Sequence, residues 1–246
     1  MLVTAMWAML RCFRIGGHAM PFTEEQFFQV FAAYNAAISP LPAVAYVLGL
    51  TALGLLFWRS RTSTVLIMAI LALMWLVNGV GYHWSFFTSI NPAARLFGAV
   101  FVLQALLLAA APLVSPIFRL APSNDVRTVA GLALAAYAIL LYQALGWLFG
   151  HIYPAVPVFG VAPCPTTIFT IGILLLGSWR VARWLLLIPA LWAIIGGSAA
   201  LLLGVPQDYG LVAAFLVVLA FGAVNWFHEG IARQWSNRTC ARSNLR

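Results

Sequence analysis

The chain has 246 residues, 64% of them hydrophobic and only 7% charged, whereas a soluble domain carries about 25% charged residues. Such a composition cannot furnish a water-facing surface, so a soluble globular domain is excluded. All 13 basic residues are arginine and give a net charge of +8. They stand singly or in pairs between apolar blocks, which fits loops beside an anionic leaflet rather than a phosphate-reading surface. Nucleic acid is not expected as a partner.

Met1 to Leu10 is apolar, but Arg11 stops the run well short of a membrane span. Basic residues follow the run instead of preceding it, unlike a secretory signal. Residues 1–19 are read as an extension outside the core: an interfacial anchor, or sequence upstream of a natural start at Met20. Thr23-Glu24-Glu25-Gln26 has the capping-box spacing. Phe27, Phe28, Phe31 and Tyr34 then recur at helical intervals, with polar Gln29 and Asn35 between them. This predicts an amphipathic interfacial helix within residues 20–39, ending at Ser39-Pro40.

Seven apolar segments follow, at 41–58, 64–86, 93–114, 128–149, 166–179, 184–203 and 210–228. The expected fold is therefore an all-α integral membrane protein with seven transmembrane helices across residues 40–229, N-out and C-in. Residues 230–246 form an Arg-rich cytoplasmic tail. In that orientation Arg59, Arg61, Arg119, Arg127, Arg180, Arg183, Arg233, Arg238, Arg242 and Arg246 all face the cytoplasm. The fifth segment is short for a span. Pro112 and Pro189 interrupt the third and sixth, where neighbouring helices can satisfy the groups that proline frees. Gly146 and Gly150 form a GxxxG pair, and Gly196-Gly197 offers close-contact surface.

Candidate chemistry gathers at one end of this topology. Gly150 to Thr167 carries four prolines in twelve residues, read as an ordered extended connection that enters the fifth helix at Cys164-Pro165-Thr166-Thr167. Helix-initiating amides there suit an anion or a Cys164 thiolate. Asn78, His83, Gln143, His151, Tyr153, Cys164, Thr166 and Thr167 make up a candidate outer-face ligand site. His83, His151 and Cys164 are its candidate soft-metal set. Gln104 is a polar amide near mid-membrane that needs a partner. His228-Glu229 lacks the second histidine of a zinc-protease motif. Cys12, Cys164 and Cys240 are too dispersed for a zinc finger or redox pair. The five carboxylates, Asp125, Asp208, Glu24, Glu25 and Glu229, avoid mid-span positions. No nucleotide fingerprint or catalytic constellation is present, so neither cofactor nor catalytic residue is assigned.

The opening MPFTEEQFFQVFAAYN and the segment GHIYPAVPVFGVAPCPTTIFT, together with the alternation of spans, resemble an uncharacterised family of bacterial multi-pass membrane proteins, a domain of unknown function. The resemblance covers nearly all of residues 20–228. It implies a bacterial inner-membrane location and supplies no site residues. The functions that remain are a membrane scaffold or accessory subunit, a small-solute or metal-ion facilitator with an outer vestibule, and a membrane redox or metal enzyme. The partners expected are the lipid bilayer and either further copies of the chain or another membrane protein.

Overall fold

The computed structural model describes residues 21–243, with backbone alone beyond Trp226. The extension before Met20, Cys12, and the side chains of His228, Glu229 and Cys240 lie outside the described residues. The fold is all-helical. Helix α1 (Glu24–Ala37) opens with the expected capping box: Thr23 and Gln26 exchange side-chain-to-backbone hydrogen bonds at 3.2 and 2.9 Å. The chain then turns by 87° into α2 (Leu41–Leu56). Helix α3 (Arg61–Leu76) runs into a wider π-helical stretch, Val77–Trp84. After α4 (Ala94–Val114) come α5 (Val126–Ala136), a second π turn at Tyr137–Leu141, and α6 (Tyr142–Leu148). The remainder is α7 (Pro163–Leu174), α8 (Trp179–Leu185), α9 (Leu187–Leu203), a 3-10 turn at Pro206–Asp208, and α10 (Tyr209–Ser243).

Among the described residues four helical stretches are long and apolar enough to cross a bilayer: Arg61–Ser89, Ala94–Val114, Val126–Leu148 and Pro206–Trp226. Two bent pairs, α1 with α2 and α8 with α9, raise the number to six if each pair counts as one span. The sixth apolar segment is thus broken rather than continuous, with a 44° bend at Leu186. Pro189 accounts for the break, because it has no N–H to offer the carbonyl of Leu185 four residues earlier.

Helix α7 is the axis of the molecule. Every residue from Val156 through Leu176 is buried, and α3, α5, α9 and α10 all pack on it. Its 12 residues extend only about 18 Å at 1.5 Å per residue, short of a hydrocarbon core of about 30 Å. This is why the fifth segment looked deficient from sequence. It is wrapped by protein, and the chain leading into it is buried as well. The crossing with α5 is glycine on glycine: a Cβ at Gly131 would sit 2.5 Å from the Gly172 carbonyl oxygen, and one at Gly172 would sit 2.6 Å from that of Gly131.

Polar groups on α7 are turned back onto the helix or toward α3. Thr166 and Thr170 donate to the carbonyls of Ala162 and Thr166. Trp75 Nε1 donates to the Thr170 hydroxyl at 2.8 Å. Asn78 spreads its amide over the Met74 and Gly160 carbonyls and the Thr166 hydroxyl. At the far end of the bundle, Leu120 pairs with Gly177, Leu120 N donates to Thr64, and Arg59 reaches the Pro122 carbonyl. Arg61, Arg119, Arg127, Arg180 and Arg183 flank the helix termini of that same end.

Candidate functional site

The opposite end of the bundle is built by three local devices. At the close of α6, Gly150 adopts φ +86°. Gly150 N bonds the Trp147 carbonyl and His151 N bonds the Gly146 carbonyl at 2.8 Å, the paired bonds of a Schellman cap. The cap fixes where His151 leaves the helix. Gly150 therefore serves backbone conformation; nothing lies within 4 Å of its missing Cβ, so the GxxxG pair does not pack as a unit. The second device is a latch: Asn35 of α1 donates to the carbonyls of Pro154 and Val156 at 2.7 and 2.8 Å, while the Tyr153 hydroxyl donates back to the Asn35 carbonyl. The proline-rich segment is held down by α1. The third is the pair of π turns. One carries Asn78, Tyr82 and His83; the other sets Tyr137 and Tyr142 toward the Pro206–Asp208 turn. Such widened turns recur where a helix is bent to function.

These devices converge on Gln207 and Asp208. Tyr137 donates to the Gln207 carbonyl at 2.7 Å, and Tyr142 donates to the Asp208 carboxylate. The Cys164 thiol lies beside the same carboxylate. The Gln207 amide meets His151 Nδ1 at 3.0 Å. The His151 ring stacks on Phe28 at 4.2 Å, and Nε2 stands 3.9 Å from Glu24. A polar chain thus runs from the half-exposed Glu24 inward through His151 and Gln207 to the segment that carries Asp208.

Asp208 borders a cavity of about 50 Å³ roofed by α1. Cys164, Asn91 and Gly196 contribute to its wall, together with seven aromatic rings: Phe22, Phe27, Phe31, Tyr82, Phe87, Phe97 and Trp192. The rings interlock, with Phe31 on Tyr82 at 4.7 Å, Tyr82 on Phe87 at 5.3 Å, and Phe97 on Trp192 at 5.4 Å. The aromatic stripe of α1 faces this cavity and the bundle. In the wall, the Tyr82 hydroxyl is buried without a hydrogen-bond partner, and Trp192 Nε1 faces the Cys164 thiol.

The candidate residues from sequence are distributed as follows. His151 and Cys164 meet adjacent residues, Gln207 and Asp208. Tyr153 belongs to the latch. Asn78 and Thr166 bond each other deeper in the bundle, and Thr167 is buried there with its hydroxyl unpartnered. Gln143 is half-buried with an unpartnered oxygen. His83 is enclosed by Phe101 at 4.6 Å and Trp192 at 5.1 Å, both ring nitrogens unpartnered. Among the described residues no group of three or more His, Cys, Asp or Glu side chains is placed to hold a metal ion. His83, His151 and Cys164 accordingly form no such set, because aromatic rings surround the first and Gln207 intervenes at the second.

The anion expected at the start of α7 also lacks its donors. Pro163 and Pro165 carry no N–H, Thr166 N already bonds the Ala162 carbonyl, and Cys164 is buried beside a carboxylate, the wrong neighbour for a thiolate. The two prolines instead let a helix begin in an apolar interior with few orphan donors. Gln104 does find its partner, the Leu185 carbonyl at 2.9 Å. Asp208 itself was missed by the sequence reading. It stands in a short polar separator, and becomes interior through side chains distant in sequence, among them Tyr142 and Cys164.

A family model described as a family of unknown function, DUF6064, matches residues 24–233. The chain belongs to that family. No curated protein and no solved structure matches it. The DUF6064 match begins at the first residue of α1 and takes in every cavity-lining side chain except Phe22. The resemblance carried by the α1 sequence and the proline-rich segment thus falls on the two elements that roof the site.

Proposed function

We propose that this multi-span membrane protein is a scaffold or accessory subunit of the bacterial inner membrane, with seven crossings, N-out and C-in. The observation that carries the reading is the exposure of α10. Only 17% of its apolar stretch is buried, against 50% of that in Arg61–Ser89. Leu216, Leu219, Val224 and Trp226 are exposed along it. The helix then continues to Ser243, and its 35 residues reach about 52 Å, well beyond the bilayer core. A span attached to its own bundle along so little of its surface offers the remainder to lipid and to a neighbouring membrane helix, with an arginine-bearing extension for contacts in water. The four long helices, the two bent pairs and buried α7 are seven candidates for the seven crossings, and the 87° bend between α1 and α2 is consistent with α1 lying along the interface. The clustering of arginines at the end opposite the cavity supports that end as cytoplasmic.

Crosslinking mass spectrometry on protein extracted in mild detergent tests the role: reproducible crosslinks from α10 to one membrane protein, or to a second copy, are expected. A strictly solitary chain counts against it. For orientation, a cytoplasm-dependent reporter after Arg246 gives signal and one after Tyr153 gives none. The reverse pattern inverts the topology. A second reading, a small-solute facilitator with an outer-face vestibule, is favoured by the cavity beneath α1; solute flux in liposomes at the protein-free rate would eliminate it.

A further inference from the structure

Asp208 is a buried carboxylate with no counter-ion. Among the described residues Arg127 stands 3.7 Å from Asp125 and His151 stands 3.9 Å from Glu24, and neither contact involves Asp208. The Tyr142 hydroxyl and the Cys164 thiol stand against it. They lessen the cost of its burial but supply no opposite charge, so the carboxyl is neutral by protonation or paired with a cation that enters the cavity. The cavity it borders is walled by the rings of Phe31, Tyr82, Phe87 and Trp192, whose electron-rich faces attract a cation. Trp192 Nε1 faces the Cys164 thiol, but one of those rings carries a buried polar group with nothing to bond, the Tyr82 hydroxyl. Native interiors rarely leave such groups unpaired, and an absent partner is one standing explanation.

From these three features we infer that the cavity binds a small primary ammonium carrying one hydrogen-bond acceptor, the chemistry of ethanolamine. The ammonium pairs with Asp208 among the rings, and the acceptor receives from the Tyr82 hydroxyl. Size agrees: a water needs roughly 10–15 Å³ on this measure, so about 50 Å³ admits an occupant of about three to five non-hydrogen atoms. Ethanolamine is available as a free amino alcohol and as a lipid headgroup, and both present the same atoms. The inference stands on the cavity and is independent of any partner at α10.

The test is binding of radiolabelled ethanolamine to the full chain in phosphatidylcholine nanodiscs. Saturable binding is expected, competed by methylammonium and not by ethylene glycol, which keeps the size and removes the charge. Asp208→Asn weakens it by about tenfold or more. Ala199→Leu, which fills the cavity and leaves the carboxylate in place, abolishes binding and decides the matter if the Asp208 variant fails to fold. Absence of saturable binding up to about 10 mM, equal competition by ethylene glycol, or undiminished binding in a folded variant of either kind overturns the inference. Nanodiscs containing phosphatidylethanolamine separate the sources: suppressed uptake of label identifies the headgroup as occupant, and unchanged uptake identifies the free amine.

Discussion

The side-chain amide of Gln104 donates to the carbonyl of Leu185 at 2.9 Å, the carbonyl that Pro189 leaves without a helical donor. A break in one helix is thereby satisfied by a residue of another, α4. Gln104→Leu strands that carbonyl in an apolar interior and should cost about 1–3 kcal/mol. In the Pro189→Ala background the new N–H can serve Leu185, so the same substitution should cost less. Thermal unfolding of the four proteins in a double-mutant cycle measures the coupling, expected at about 1 kcal/mol. Additive losses would show that Gln104 stabilises the protein by some other route.

Close approach of α5 and α7 makes a sharper demand. Gly131→Ala and Gly172→Ala each drive a methyl group into a backbone carbonyl that cannot swing aside, and should cost about 1–3 kcal/mol, more for valine. Gly54→Ala is the control, since nothing lies within 4 Å of its Cβ position. There a helix-interior alanine should be neutral or stabilising by about 0.5–1 kcal/mol. Retention of the folded fraction in detergent on heating ranks the three.

Asn35 makes two hydrogen bonds that close the proline-rich segment against α1. Asn35→Leu should leave the carbonyls of Pro154 and Val156 unserved and cost about 1–3 kcal/mol. The loss is local, so hydrogen exchange should accelerate at residues 150–162 while α3 and α4 keep their protection. Uniform acceleration across the bundle would show that the latch is integral to global folding.

Asp125 caps α5, accepting from Thr128 N at 2.8 Å. That bond, ahead of the contributions of Ser123 and Arg127, holds its carboxyl below the usual carboxylate range. A depressed folded-state value means the stabilisation is complete above about pH 4, the ordinary aspartate value, and disappears as pH falls through the lower folded value. Asp125→Ala should cost about 1 kcal/mol at neutral pH. Asp125→Asn retains the cap and should cost less. The gap between wild type and Asp125→Asn should close on acidification below about pH 4; a gap constant with pH would assign the effect to geometry alone.

The sequence made the helices legible where periodicity and end signals agree. Thr23 and Gln26 mark the start of α1, and the apolar block at 93–114 is α4 almost residue for residue. The broken sixth segment was legible only as the proline at 189, because the bend also depends on Gln104 reaching across from α4. The π turns at Val77–Trp84 and Tyr137–Leu141 leave no mark, since hydrophobic spacing is insensitive to one extra residue in a turn. The candidate site was half visible. His151 and Cys164 drew notice as rare chemical types, while Gln207 and Asp208 read as a polar separator between spans. Burial of that separator depends on residues as distant as His151, Tyr142 and Cys164, and no local pattern encodes it.

The complete enclosure of residues 156–176 sets an order on assembly. A segment that never meets lipid is released from the hydropathy that lipid imposes, so it can hold three prolines and three threonines between Pro157 and Thr170. It cannot partition into the bilayer as a finished unit, because α9 and α10, which cover it, are synthesised afterwards. The hydroxyls of Thr166, Thr167 and Thr170 must wait, sheltered by α3 and α5 alone, until the last two helices close over them. Ribosome-held chains ending before α10 should therefore display an unfinished seam along α7, a natural place for an insertase or chaperone to attend the nascent protein.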